Sequence, residues 1–393
     1  MVKKSIYLMS AMAVASVVLV GCGPKKFVVY SPGENLTSLT KINESENVCY
    51  SPFGGDDGRN LFFVVQDKAG FQNIYRKDVP TSMSLSQITA GNNFNTSPSY
   101  CAATNSVAFS GRLTGSSVDD IYITNATQGG ALTQITNTSE YEEFTPCISR
   151  DGTKIVYTKG LRGTGIKSLE IWVKNLLTNE TTQLGLGCFP SFSPDGKMIA
   201  YVKFAPDNYT TCLFISKSDG SNVTQLTDAG MGSVFYPRFS PDGKKLVFSC
   251  IKKKKNDSDL YTIDIDGNNL TQLTINKSLD TQPYWANDGN IYFASDRGDR
   301  AGHTQIWRFF FGKPTDPTKE NTTPVTDNTT TVVPKVQQKQ NTNVSQPRYH
   351  IVEAGETITE IARKYGVTVR DIVSWNKLTT MTISAGMRLK VSL

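Results

Sequence analysis

Short apolar runs recur along the chain on either side of a polar turn. Two clear copies read FPSFSPDGKMIAYV from Phe189 and YPRFSPDGKKLVFS from Tyr236. Ser-Pro-Asp-Gly favours a turn, because Pro presets φ, Asp bonds nearby backbone groups and Gly accepts positive φ. The runs are nearly continuous rather than alternating, which predicts strands that are buried on both faces.

Weaker copies of this unit extend the pattern in both directions, and they begin at Ser97, Thr145 and Gln282. The prolines of the five copies recur at intervals of 44–48 residues and are Pro98, Pro146, Pro190, Pro237 and Pro283. A sixth, degenerate copy begins at Asn47, and no repeat proline is assigned to it. Each copy has a companion half with an Asp-Ile-Tyr-like strand and then a Leu-Thr-Gln-Leu-Thr-like strand.

This repeat predicts a β-propeller over residues 27–311, because four short strands per unit, repeated radially, are typical of propeller blades. The six first halves predict six blades. The segment Phe27–Thr40 holds a lone second half, and the last unit, at Gln305, lacks one. We therefore expect Leu36–Thr40 to complete the final blade and close the ring, which protects the strand edges.

The Ser-Pro-Asp-Gly turns, the Asp-Ile-Tyr strands and the Leu-Thr-Gln-Leu-Thr strands resemble the TolB propeller family from about Phe27 to Phe311. The resemblance implies a mainly β fold with a six-bladed TolB-like β-propeller. TolB carries a further α/β domain before its propeller. Few residues separate Cys22 from the first strand here, so we expect that domain to be absent and carry over the propeller alone.

The N-terminal segment has the layout of a secretory signal: two lysines, an apolar run over Ile6–Val20 and a Leu-Val-Gly-Cys sequence ending at Cys22. That ending resembles the lipobox of bacterial lipoproteins. The resemblance implies a signal peptide at residues 1–21, acyl chains such as palmitate on Cys22, and a lipidated N-terminus at residues 22–26. Gly23, where Asp would retain a lipoprotein in the inner membrane, implies the outer membrane, most simply facing the periplasm.

Residues 312–347 differ in composition, since Thr, Asn, Pro and Gln dominate and apolar residues are scarce. Such a segment cannot bury a core and predicts a disordered linker. Residues 348–393 then predict a small β-α-α-β domain. Its first helix is expected to begin at Thr357, which forms a capping box with Glu360. A closing strand is predicted at Met387–Val391.

The landmarks of this module are Gly-Glu-Thr-Ile, Ile-Ala-Arg-Lys-Tyr-Gly-Val, Trp-Asn-Lys-Leu and Ile-Ser-Ala-Gly, and they resemble a LysM domain along its whole length. The resemblance implies binding of N-acetylglucosamine-containing glycan, and hence of peptidoglycan. It places the sugar in a shallow groove between two loops. The glycan-binding residues carried over by position are Gly355, Glu356, Thr357, Ile358, Asn376, Lys377, Leu378 and Ile383. Several have structural alternatives: Thr357 is also the helix cap, and Ile358 and Ile383 also fit the core.

The remaining chemistry is sparse. A net charge of +6 without a basic and aromatic stripe argues against nucleic acid as a partner. Beyond Cys22 there are six cysteines with no CxxC or Cys/His cluster, which argues against a metal or cofactor site. They are interpreted as small buried hydrophobes, with disulfides as the alternative. The chain has two histidines, His303 and His350, and no nucleophile or carboxylate stands at a telling spacing from either.

Two functions remain open. The first is a non-enzymatic lipoprotein that binds peptidoglycan, is held to a membrane by its lipid, and presents the propeller to an envelope protein. The alternative is a propeller that hydrolyses a cell-wall glycan or peptide near the LysM-like module. A propeller glycosidase would need carboxylates in the central funnel.

Overall fold

The computed structural model describes residues 36–43, 45–54, 59–79, 85–206, 210–252 and 257–311, and in the C-terminal part 349–353, 356, 358–365, 372, 375–376, 378, 383–384 and 386–391. The predicted signal peptide, Cys22 and the predicted linker lie outside these residues. The chain divides into two compact units, Met1–Glu320 and Asn321–Leu393, which are taken separately below.

The first unit consists of antiparallel sheets whose strands follow one another in chain order. One eight-stranded sheet holds two successive sets, β2 (Val48–Gly54), β3 (Asn60–Gln66), β4 (Gln72–Asp78) and β5 (Leu85–Gln87), then β6 (Phe94–Cys101), β7 (Ser106–Arg112), β8 (Asp120–Asn125) and β9 (Thr133–Gln134). A single parallel pairing of Gln72 with Phe94 joins the two sets.

Three four-stranded sheets follow in the same order. The first holds β10 (Tyr141–Ile148), β11 (Lys154–Leu161), β12 (Glu170–Asn175) and β13 (Thr181–Leu186). The second holds β14 (Cys188–Phe192), β15 (Met198–Phe204), β16 (Thr211–Lys217) and β17 (Thr224–Gln225). The third holds β18 (Ser233–Phe239), β19 (Lys245–Ile251), β20 (Asp259–Asp264) and β21 (Thr271–Gln272).

The last sheet joins the two ends of the repeat region. It holds β22 (Thr281–Trp285), β23 (Asn290–Ser295), β24 (Gln305–Phe310) and, as its outermost strand, β1 (Thr37–Lys41). β1 pairs antiparallel with β24. The prediction that the segment around Leu36–Thr40 completes the final sheet is confirmed, and the blade number of six stays a prediction.

A side-chain clasp supports this closure. The amide of Asn43 donates to Gln305 Oε1 at 2.7 Å, and its carbonyl accepts from the backbone N–H of Ile306 at 2.8 Å. Thr304 Oγ1 donates to the carbonyl of Cys49 at 2.8 Å. The N-terminal and C-terminal parts of the repeat region are therefore joined by buried hydrogen bonds as well as by strand pairing.

The repeat motifs are explained by local hydrogen bonds. In the turn after β14, Ser193 donates its hydroxyl proton to Asp195 Oδ1 at 2.6 Å and accepts from the N–H of Met198 at 2.9 Å. Ser240 and Asp242 make the same 2.6 Å bond in the next sheet. The Ser and Asp side chains thus supply hydrogen bonds inside the turn that the backbone alone does not make.

The last Thr of each Leu-Thr-Gln-Leu-Thr segment has an equally specific role. Thr227 Oγ1 accepts from the N–H of Leu213 at 2.9 Å, and Thr274 Oγ1 accepts from Leu260 at 2.9 Å. Each hydroxyl therefore satisfies a buried donor at the start of the third strand, where the short outer strand does not reach.

Each innermost strand has a bulge at the residue before the repeat proline. These residues share a φ of 51–55° and are Ser51, Ser97, Thr145, Phe189, Tyr236 and Gln282. Ser51 precedes Pro52, so the copy from Asn47 does contain the repeat proline, and leaving it without one was wrong. Because the sequence after Phe53 departs from the repeat, this copy could not be aligned at its proline from the turn motif.

The strands pack as their continuous apolar runs predict. On β15 the four residues Ile199, Ala200, Tyr201 and Val202 are all buried. The six cysteines after Cys22 are likewise buried and form no disulfide bond, which confirms their interpretation as small hydrophobes. Burial raises the pKa of the Cys49 thiol to about 12, so the reactive thiolate is disfavoured.

The second unit pairs β25 (Tyr349–Ile351) antiparallel with β26 (Arg388–Lys390), with α1 (Ile358–Tyr365) between them in sequence. Its core consists of buried apolar side chains, and these are Val352, Ile358, Ile361, Ala362, Ile372, Leu389 and Val391. Ile372 and Trp375 are helical, which agrees with the predicted second helix. Across the described residues of both units, no helix combines the length and apolar character needed to cross a bilayer.

Candidate functional site

Five of the eight predicted glycan-binding residues are described: Glu356, Ile358, Asn376, Leu378 and Ile383. Gly355, Thr357 and Lys377 lie outside the described residues. The five lie in the two segments that the prediction places on either side of the groove. They differ in burial and in the hydrogen bonds that they make within the module.

Glu356 is held by its own module. Its Oε2 lies 2.7 Å from His350 Nε2 and accepts from the N–H of Glu353 at 2.8 Å. The bond from Glu353 and then that from His350 hold the pKa of the Glu356 carboxyl below its usual range. His350 Nδ1 lies 3.1 Å from the Tyr365 hydroxyl. Glu356 therefore fixes the loop before α1.

Asn376 ties the second helical segment to the closing strand. Its amide donates to the carbonyls of Ile372 at 2.8 Å and Lys390 at 2.9 Å. Its own carbonyl accepts from the N–H of Lys390 at 2.7 Å. Both amide protons are thus used inside the module, and a sugar could bond this side chain only through the carbonyl oxygen.

The apolar members of the predicted set divide into two groups. Ile358 is 5% exposed and belongs to the core. Leu378 and Ile383 are half-buried and pack against that core from its edge. They combine a fixed position with accessible apolar surface, as the floor of a shallow sugar groove requires.

The propeller unit has a narrow central channel between its innermost strands. Near the bulges its cavity volume is about 20 Å³, room for about one water molecule. The rings of Phe189 and Tyr236 line it with their centroids 4.4 Å apart. The channel is therefore narrowest at the bulges.

The channel widens beside the Ser-Pro-Asp-Gly turns into a funnel with a cavity volume of about 100 Å³. Its aromatic lining residues are Phe53, Tyr100, Phe192, Phe239, Tyr284 and Trp285. Its charged lining residues are Arg150 and Arg238. No Asp or Glu is among the described residues that line it, so the carboxylates that a glycosidase needs are not placed in this funnel.

Known family models match both parts of the chain. A TolB beta propeller domain model matches residues 34–229 and 186–349, and a LysM domain model matches residues 350–392. The chain belongs to the TolB beta propeller family. Its LysM domain indicates peptidoglycan binding, and the two domain types together indicate a protein of the cell envelope.

Solved structures agree with the TolB propeller fold. A putative TolB from Agrobacterium tumefaciens is 19% identical with a TM-score of 0.51, over 69% of this chain and 96% of that chain. TolB from Acinetobacter baumannii is 17% identical with a TM-score of 0.52, over 66% of each chain. At these identities the similarity shows the fold alone.

Curated relatives match only a small part of the TolB-type chain. The probable endopeptidase p60 of Listeria monocytogenes is 39% identical over 79 residues, which are 19% of this chain and 16% of the relative. Its counterpart in Listeria innocua is 45% identical over 42 residues. The chain thus spans well under a fifth of either relative.

Sequence reasoning missed the carboxylate partners of both histidines. His350 contacts Glu356 as described above. In the TolB-type propeller, His303 Nδ1 lies 2.8 Å from Asp299 Oδ2, and its Nε2 lies 2.9 Å from the carbonyl of Glu46. An i, i+4 spacing of His and Asp was the available signal. Both pairs hold loops in place. Among the residues described, no group of three or more His, Cys, Asp or Glu side chains is placed to hold a metal.

Sequence reasoning also missed a buried ion pair in the last sheet. Arg297 and Asp280 have side chains that are 0% exposed and pair directly. Ser295 donates its hydroxyl proton to Asp280 and accepts from Arg297 Nε at 3.0 Å. The network joins the loop before β22 to the loop after β23, and its complete burial indicates a structural role.

Proposed function

We propose that the protein is a lipid-anchored envelope protein that binds peptidoglycan through its LysM domain and presents its propeller as a scaffold for an envelope protein. The main support is the C-terminal match to LysM together with a closed apolar core beneath the half-buried Leu378 and Ile383. The proposed sugar site keeps the eight residues named from the sequence.

Within that site the residues have different tasks. Leu378 and Ile383 form the apolar floor for the N-acetyl methyl group. Glu356 and Asn376 shape the two rims through their internal hydrogen bonds. The LysM groove offers a small, open contact, so we expect its affinity for a glycan chain to be low. A membrane anchor raises the local concentration of the wall and offsets this weakness.

Sedimentation with insoluble peptidoglycan tests the glycan site. In the soluble chain carrying Cys22→Ser, Leu378→Asp should strongly reduce co-sedimentation, because it places a charge on the apolar floor. Ile351→Thr is the matched control, since Ile351 is a 63% exposed apolar residue on β25, outside the proposed groove. Circular dichroism must show both variants folded. Co-sedimentation of Leu378→Asp equal to that of the control contradicts the site.

The anchor is tested at Cys22. The full chain should label with a palmitate analogue and fractionate with membranes, and Cys22→Ser should lose both properties. Two-signal or multi-chain acylation anchors a protein stably because each buried CH₂ contributes roughly 0.8 kcal/mol. A Cys22→Ser variant that keeps its label and its membrane fraction contradicts lipidation. Separation of inner from outer membranes tests the proposed destination.

A scaffold is favoured over a hydrolase by the funnel. Its described lining carries arginines and aromatic rings and no carboxylate. The name endopeptidase belongs to relatives that match a small part of this chain. Turnover of muropeptides by the purified soluble chain would contradict the scaffold proposal.

A further inference from the structure

Arg238 is a half-buried cation in the lining of the funnel. It lies on β18 directly after the repeat proline and lines both the narrow channel and the funnel. Its guanidinium lies 5.4 Å from the ring centroid of Phe53. Among the described residues it has no ion-pair partner. A half-buried charge without a counter-charge is costly, and an anion arriving from the open side would offset that cost.

The walls around Arg238 are flat and apolar. The rings of Phe53 and Tyr284 lie 4.7 Å apart beside it, and Trp285 contributes a further ring. Arg150 is the second charged residue of the lining. A ligand that fits this surface has an apolar face for the rings and an anionic group for the guanidinium, which binds carboxylates in a bidentate manner.

Acidic residues of the repeat turns directly follow lining residues of the funnel. Asp151, Asp195 and Asp242 are exposed, and each accepts the hydroxyl proton of its turn serine at 2.6 Å. Asp288 is half-buried and accepts from the hydroxyl of Tyr292 at 3.0 Å. Exposed charges are strongly screened at physiological ionic strength, whereas the half-buried carboxylate is screened less. These acids weaken the attraction of an anion to the guanidinium, and none of them forms an ion pair with it among the described residues.

The innermost strands are poorly suited to pairing with an extended peptide. The prolines Pro52, Pro98, Pro190 and Pro283 line the channel and have no N–H to donate. Each innermost strand is also bulged at the residue before its proline. Prolines and bulges blunt a strand edge. An extended peptide would therefore gain few backbone hydrogen bonds from these strands. A compact ligand that contacts the aromatic and arginine side chains fits the funnel better.

We propose that the funnel binds a carboxylate-bearing saccharide of the cell wall, with Arg238 pairing with the carboxylate and the half-buried rings of Phe53 and Tyr284 contacting the sugar faces. N-acetylmuramic acid carries such a carboxylate on its lactyl ether once the stem peptide has been removed. This proposal deepens the proposed function, on which it rests for the nearness of the wall. It gives the chain a second glycan site that is separate from the LysM groove.

The test uses two sugars that differ only in the lactyl group. The soluble chain with Cys22→Ser and Leu378→Asp is titrated with N-acetylmuramic acid and with N-acetylglucosamine, and binding is followed by isothermal titration calorimetry. N-acetylmuramic acid should bind and N-acetylglucosamine should not. Arg238→Gln should weaken binding by about tenfold, and Arg238→Lys by less, because a charge-assisted bidentate pair is lost only in part.

Lys197→Gln is the matched control, since it removes one exposed positive charge from a turn on the same face. It should leave the affinity unchanged. Equal binding of both sugars, or full affinity in a folded Arg238→Gln variant, overturns the proposal. Tighter binding of an acetylated Ala-Glu dipeptide than of N-acetylmuramic acid overturns the saccharide class. In the Leu378→Asp background the LysM groove contributes little to binding. The funnel site and the LysM site are therefore tested independently.

Discussion

Replacing Asp280 by Asn should strongly destabilise the propeller. Asp280 and Arg297 are both 0% exposed, and Arg297 also lies 5.1 Å from the Phe293 ring and 5.7 Å from the Trp307 ring. Asn keeps the shape and one acceptor but removes the negative charge that pairs with the buried guanidinium. Breaking a buried pair in this way costs about 3–5 kcal/mol. That is a large part of the roughly 5–15 kcal/mol that stabilises a typical domain.

Urea unfolding followed by tryptophan fluorescence measures this loss. Asp280→Asn should lower the unfolding midpoint markedly at an unchanged slope. Lys68→Gln is the control, because Lys68 and Glu46 form a pair whose side chains are 76% and 83% exposed, and its midpoint should not move. The double variant Asp280→Asn with Arg297→Met should recover much of the stability. A loss below about 1 kcal/mol in Asp280→Asn would refute the reasoning, because removing one partner of a buried ion pair costs about 3–5 kcal/mol.

Three further variants test the closure, the pH response and the LysM rim. Asn43→Ala should lower the free energy of unfolding by about 1–3 kcal/mol, because it leaves the buried N–H of Ile306 unsatisfied; an unchanged urea midpoint contradicts the role of these hydrogen bonds in closure. Burial raises the pKa of Asp259 to about 6, so the folded state binds its proton more tightly, and stability should fall as pH rises from about 4 to above 6. Asp259→Asn should flatten that slope between pH 4 and 7, and a parallel curve would show that this carboxyl is not responsible. Glu356→Gln should lower the LysM melting temperature, because it weakens the bond to His350, and an unchanged melting curve contradicts its role as a loop anchor.

The features that the sequence predicted are local or repeated. Ser193 and Asp195 act within one turn, so their roles could be read from adjacent residues. The closing strand β1 followed from counting half-units, since a lone second half needs a partner. The LysM assignment rested on landmarks spread over a single short module. In each case the chemistry lies within one repeat or one contiguous segment.

The features that were missed depend on contacts between distant segments. Asp280 and Arg297 are 17 residues apart, and no motif in either segment indicates that they form an ion pair. The internal role of Asn376 appears only when β26 lies beside it. Arg238 could have been found by aligning all six copies at the residue after the proline, where it is the single charged residue. That alignment was incomplete, because Pro52 had not been recognised.

The central claim is that the LysM domain holds this protein to peptidoglycan. The direct measurement compares two soluble Cys22→Ser chains, one complete and one ending at Phe311, in co-sedimentation with insoluble peptidoglycan. Both carry Arg238→Gln, so that the funnel does not contribute. The complete chain should sediment with the wall, and the shortened chain should remain in the supernatant. Equal sedimentation of both folded chains, or a complete folded chain left in the supernatant, would contradict the account.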